Sequence, residues 1–158
     1  MKTTSVLFVC MANICRSPAL AACLKHLAAK QGLSDKLQIE SCGIGWIRVG
    51  ERADLRTFEA AKKQGILIDH RSQQFQDVFF EEFDLILAVN QDIIEQLKLR
   101  SHSPEHQSKI LLATHYSPRF RDKEIPDPYY MSHSGFDDVM EIILDACTGL
   151  LNHLKNNL

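Results

Sequence analysis

Cys10 and Arg16 are separated by five residues, Met11-Ala12-Asn13-Ile14-Cys15, and Ser17-Pro18 follows the arginine. A cysteine attacks as its thiolate, which is favoured where a helix N-terminus and a cation lie beside the sulfur. Arg16 brings a planar, permanently charged fork that grips two oxygens of a phosphate at once, which a lysine cannot do. Backbone N–H groups from Met11 to Arg16, turned inward by a tight loop, add donors for the same anion. These residue types allow nucleophilic attack by Cys10 on a bound oxyanion, with Ser17 placed to donate its hydroxyl to the sulfur as it leaves. A cysteine at a strand end is often only a small hydrophobe. Its pairing with an arginine across a strand-to-helix loop makes the reactive reading the stronger one.

Three kinds of element must position that loop. Ser5 to Val9 is apolar and rich in β-branched and aromatic residues, as a buried strand is. Pro18 to about Gln31 has helical spacing, with Ser17 as expected N-cap, Pro18 at the first position and Gly32 as the stop. Leu37–Cys42, Phe83–Val89 and Ile110–Ala113 read as further strands. Helices are expected over Ala53–Gln64 (Leu55, Phe58 and Ala61 inward), from the Asn90 cap to about Leu99, and from Phe136 to about Asn156. Gly149 should weaken the last of these only slightly. Segment 101–107 reads as a polar loop in which Pro104 keeps His102 and His106 apart, so no metal site is expected. The alternation predicts a single α/β domain over 1–158, a four-stranded parallel sheet with helices on both faces. Ligands bind such sheets beyond the strands' C-terminal ends, where Cys10, the Gly43–Trp46 turn and Asn90 all fall.

With those residues in view, Val9-Cys10-Met11-Ala12-Asn13-Ile14-Cys15-Arg16-Ser17-Pro18 resembles the signature loop of the low-molecular-weight protein tyrosine phosphatases. Ser41-Cys42-Gly43, Trp46, Gly50, Asp54, Arg56, Asp69-His70-Arg71-Ser72 and Ile125-Pro126-Asp127-Pro128-Tyr129-Tyr130 extend the likeness through most of the chain. The resemblance implies a flavodoxin-like fold and hydrolysis of phosphotyrosine in proteins through a phosphocysteine on Cys10, without a metal or cofactor. It implies phosphate held by residues 11 to 16, with Arg16 at the equatorial oxygens. Asp127 becomes the general acid; without the resemblance, an Asp between two prolines is simply a rigid turn. Ser41 and His70 become supports of Asn13, while Trp46, Tyr129 and Tyr130 become walls of the substrate cleft, the tyrosines also being candidate phosphorylation sites. Cys15 is a candidate partner for a reversible disulfide that shields Cys10. Ala12 stands where that family usually has Gly, so a left-handed backbone there would be strained. Asn90 stands where it usually has Asp.

Composition narrows the alternatives. A formal net charge of −2 over 158 residues argues against a nucleic-acid binder. No long apolar run suggests a membrane span, and the first strand begins too early for a leader, so a cytoplasmic protein is expected, monomeric or weakly dimeric. The five cysteines, odd in number and without framework spacing, read as free thiols. An arsenate reductase of the same fold needs two further cysteines, and none lies between Cys42 and Cys147. In a protein arginine phosphatase a Thr tends to stand where this chain has Ile14. A non-catalytic phosphate-binding module would need neither Cys10 nor Asp127.

Overall fold

The computed structural model describes residues 3–158. Four parallel strands form one sheet in the order β2-β1-β3-β4: β1 Thr4–Cys10, β2 Leu37–Gly43, β3 Leu85–Ala88 and β4 Ile110–Leu112. Val6, Leu7, Phe8 and Val9 of the central strand are each fully buried. Successive strand residues point to opposite faces, so such a run requires cover on both sides. Helices α1 (Arg16–Lys30) and α6 (His133–Lys155) pack together, with α1 against β1 and β2; α2 (Leu55–Lys63) joins α6, and α4 (Gln91–Arg100) lies against β3 and β4. The chain leaves β1 toward β2 and returns on the other side through β3. The end of β1 is therefore the point where the strand order reverses, and a crevice opens there.

The expected elements are present with shifted ends. Helix α1 begins at Arg16, capped by Cys15 without any side-chain hydrogen bond; Ser17 is not its cap, because its hydroxyl is engaged at Cys10. Asp54 caps α2, accepting from the Arg56 amide. Leu55 is 67% exposed, whereas Ala60 and Ala61 face inward as expected, Phe58 is half-buried against the core, and Thr57 joins the inward side. Two short helices were not anticipated: α3 (Phe79–Glu82) and α5 (Pro104–Ser108). Pro104 opens α5 rather than breaking it, with Ser103 as its cap. It thereby turns His106 onto Phe80, where the rings stack, and onto Glu81 at 2.6 Å.

Gly149 has a reason that helix propensity does not supply. A Cβ there would stand 1.9 Å from the Tyr116 carbonyl oxygen, so α6 can pass the 114–118 turn only with glycine at that position. The long irregular stretch 114–135 is well tied. Asp122 takes a left-handed turn (φ 57°), and the Ile125 amide bonds Val89 O at 2.9 Å, past the end of β3. Ile125 is buried to 1% exposure, which fixes the following Pro126-Asp127 against the sheet end.

Candidate active site

At the end of β1 the chain turns through residues 11–15 and enters α1 at Arg16. The Cys10 sulfur lies inside this turn, 97% buried. The Asn13 amide points at it from 3.2 Å, and the Ser17 hydroxyl stands 2.9 Å away. Asn13 Nδ2 donates to Ser17 Oγ at 2.8 Å, so that oxygen already accepts, and its own proton is shared between the sulfur and the Cys42 carbonyl oxygen at 3.3 Å. Both the Asn13 amide and the Ser17 hydroxyl can donate a hydrogen bond to the sulfur. The first turn of α1 contains no acidic residue and no side-chain cap, leaving its amides to an incoming anion.

Asn13 is the keystone of the loop's shape. Its backbone is left-handed (φ 59°), a conformation that asparagine tolerates better than most residues. Its side chain donates to Ser41 Oγ at 3.0 Å and accepts from the Gln73 amide at 2.9 Å. His70 Nε2 lies 2.7 Å from its carbonyl oxygen, and Ser72 Oγ donates to Ala12 O at 3.0 Å. Burial pushes the His70 pKa down, so its ring is neutral at neutral pH and carries its proton on Nε2, the nitrogen that donates. Ser41 and His70 thus stand where the sequence reading put them. Ser72 and Gln73 join them, and Gln73 carried no signal in the sequence. Ala12 is not left-handed; the only non-glycine residues with positive φ among those described are Asn13 and Asp122, so the expected strain at Ala12 does not arise. Gly43 is the floor beneath. Its missing Cβ would meet Met11 O at 2.7 Å.

Arg16 is 6% exposed and reaches under the long loop. Its Nη1 donates to Ile125 O at 3.1 Å, and its Nη2 is 3.6 Å from Asp127 Oδ2. Asp127 accepts from the Tyr129 amide at 3.0 Å through Oδ1 and keeps a partly exposed carboxyl over the cleft. Cys15, in the same loop, is 5% exposed. Desolvation pushes its pKa up to about 12, with the Thr57 hydroxyl opposing weakly, so it remains a neutral thiol at neutral pH. Burial likewise raises Cys42 and Cys147 well above the ordinary thiol range.

The space above the sulfur is a cavity of about 140 Å³ lined by residues 10–16 with Arg48, Asp127, Tyr129 and Tyr130. Both tyrosines line this cavity. Trp46 is 70% exposed, on a turn closed by Val49 N to Trp46 O at 3.2 Å, and is not among the lining residues. The same loop walls the cleft through Arg48, which donates to the Tyr129 hydroxyl at 3.2 Å. Sequence reasoning passed over Arg48; an arginine two residues beyond a loop tryptophan carries no signal by itself. Asp54 and Arg56 complete the frame. The Asp54 amide bonds Ile14 O at 2.8 Å, and the Arg56 guanidinium lies 5.3 Å from the Tyr129 ring centroid. Burial would raise the Asp54 carboxyl, but hydrogen bonds from Arg56 outweigh it and hold the pKa below the usual range. This is a small cleft with a buried sulfur at its base, the Arg16 guanidinium beside it and a carboxyl at its lip.

Comparison with known proteins agrees with this arrangement. A family model described as low molecular weight phosphotyrosine protein phosphatase matches residues 5–158. A low molecular weight protein-tyrosine-phosphatase of Streptomyces coelicolor is 34% identical over 151 residues, which cover 94% of this chain and 92% of that one. The crystal structure of a protein tyrosine phosphatase from Entamoeba histolytica, with Hepes in its active site, superposes with a TM-score of 0.93 at 32% identity, covering 98% of this chain and 99% of its own. The Drosophila arginine phosphatase superposes with a TM-score of 0.87 at 34% identity, covering 98% of both chains.

Proposed function

The chain belongs to the low molecular weight phosphotyrosine protein phosphatase family and is a cysteine-dependent protein tyrosine phosphatase, and we propose how its residues divide the reaction. Phosphotyrosine enters with its phosphate in the loop and its ring between Tyr129, Tyr130 and Ile14. The Cys10 thiolate attacks phosphorus in line with the aryl oxygen; the S–P bond forms as the P–O bond breaks. Arg16 and the loop amides hold the three equatorial oxygens, where charge is spread in the transition state. The Asp127 carboxyl gives its proton to the departing phenolate. In the second step the Asp127 carboxylate takes a proton from water as the water oxygen attacks phosphorus. The S–P bond breaks, inorganic phosphate leaves, and Ser17 donates a hydrogen bond to the thiolate so released.

The single observation that carries this reading is the convergence on the Cys10 sulfur of the Asn13 amide and the Ser17 hydroxyl, with Arg16 and Asp127 across the same cavity. A phosphate binder needs the arginine and the amides, but neither the buried sulfur nor the carboxyl. Assay of p-nitrophenyl phosphate with the parent and with Cys10→Ser tests it; turnover should vanish in the variant while phosphate binding persists.

Likeness to an arginine phosphatase raises a second substrate. Ile14 is 7% exposed and presents hydrocarbon at the cavity wall, with no hydroxyl to orient a guanidinium, which favours an aryl ester. Matched phosphotyrosine and phosphoarginine peptides decide it, and the first should be the better substrate. The Cys10–Cys15 disulfide remains a proposal. Cys15, buried and neutral, is a slow attacker of an oxidised Cys10, so thiol rescue after peroxide should be partial in the parent and weaker in Cys15→Ala. Among the described residues no helix is long and apolar enough to cross a membrane.

A further inference from the structure

Among the described residues that line the cleft, only Arg16, Arg48 and Asp127 carry charge, and the reaction gives Arg48 no task. Arg16 donates to Ile125 O at 3.1 Å, lies 3.6 Å from Asp127 Oδ2, and has the phosphate as its task in the proposed reaction. Arg48 stands at the mouth with its Nη2 on the Tyr129 hydroxyl at 3.2 Å and its Nη1 3.4 Å from Glu51 Oε1. The Glu51 pair is exposed on both sides and hence weak and exchangeable. A guanidinium so held, next to where an aromatic ring must pass, is positioned to trade Glu51 for a carboxylate on the substrate.

We propose that Arg48 selects phosphotyrosine substrates that carry an acidic residue immediately beside the phosphotyrosine, on one flank only. The proposal rests on the phosphotyrosine reading above and names the class of peptide it prefers. The one-sidedness follows from the other end of the cleft. There, a hollow of about 290 Å³ shares Met11, Arg16 and Asp127 with the cleft and is lined by Asp92 and Glu124. Glu124 is turned toward the start of α4, accepting from the Gln91 amide at 2.8 Å. A peptide carboxylate entering on that side meets like charge, whereas on the Arg48 side it meets the cation. Charge along the cleft thus sets both composition and direction of the bound peptide.

The rival account of Arg48 is that it merely tethers Tyr129, and selectivity ratios separate the two. Six phosphotyrosine peptides carry Glu, Ala or Lys at the position just before or just after the phosphotyrosine, and kcat/KM is measured for each with the parent, Arg48→Ala and Arg48→Glu. On one flank the parent should favour Glu over Ala by about five-fold, the scale of a partly exposed ion pair. That ratio should fall to about one in Arg48→Ala, invert toward Lys in Arg48→Glu, and shrink in about 1 M salt, where screening reaches a few ångströms. Glu51→Gln, which removes the competitor, should enlarge it. A tether alone would lower all six peptides by the same factor and leave the ratio untouched, and that result overturns the proposal. So does a parent without preference on either flank. A parent that hydrolyses none of the peptides contradicts the phosphatase reading itself, a distinguishable failure.

Discussion

His70 Nε2 lies 2.7 Å from the carbonyl oxygen of Asn13, the one residue of the phosphate loop with a left-handed backbone. That contact joins the 66–74 segment to the catalytic turn and holds its least favourable dihedral. His70→Ala removes the donor from a nearly enclosed carbonyl and should reduce kcat/KM for p-nitrophenyl phosphate by about two- to ten-fold, the worth of one hydrogen bond.

The same histidine adds a pH signature. Burial sets its folded pKa below the unfolded value of 6.5. The unfolded chain then takes up the proton first, so the stability His70 contributes is fully present above pH 6.5 and is lost as pH falls below it. The gap in Tm between parent and His70→Ala should be widest near neutrality and narrow toward pH 5; a gap that widens in acid contradicts the assignment.

Gly43 carries no reactive group, yet a Cβ there would press on Met11 O from 2.7 Å. Gly43→Ala should shift the loop by a fraction of an ångström and lower kcat/KM by about ten- to a hundred-fold, the sensitivity of in-line chemistry to misplacement. Thermal unfolding beside the assay separates misplacement from loss of fold.

Asp127→Asn keeps the bond to the Tyr129 amide and removes the transferable proton. We expect kcat to drop by about 10²- to 10⁴-fold for phenyl phosphate. The drop should be smaller for p-nitrophenyl phosphate, whose leaving group departs readily without a proton. An equal loss on both substrates would argue that Asp127 only positions Arg16.

Gly149→Ala tests the fold rather than the site. With Tyr116 O 1.9 Å from the added carbon, α6 or the 114–118 turn must move. Overpacking of this kind costs about 1–3 kcal/mol, which for a chain of this size lowers Tm by roughly 2–12 °C. Helix propensity alone would raise Tm, so the sign of the change decides.

Sequence showed the chemistry better than its frame. Cys10, Arg16 and the helix that follows are local in the chain, and local spacing is what a single sequence displays. The parallel sheet was legible because β1 and β3 are buried on both faces and read as continuous apolar runs, while β2 shows a strand's alternation of buried and exposed residues. The long-range supports were legible only where a resemblance pointed at them: Ser41 lies 28 residues from Asn13 and His70 lies 57 from it, and neither has a periodicity that announces the contact. Arg48, Ser72 and Gln73 act through loop geometry that no local pattern encodes. Trp46 was placed at the cleft by the resemblance alone; it stands 70% exposed, outside the residues that line the cavity. Leu55, expected inward, is the first residue of α2 after the Asp54 cap and is 67% exposed.

In the proposed reaction the Cys10 sulfur accepts the phosphoryl group. Rapid quench of the enzyme with a phosphotyrosine peptide labelled at phosphorus, followed by peptide mapping, measures this directly. Asp127→Ala, which slows breakdown of the intermediate, is run beside the parent. The account expects acid-stable, single-site label on Cys10, absent from Cys10→Ser and never on the neutral, buried Cys15. Label on another residue, or steady turnover by Cys10→Ser, would contradict it.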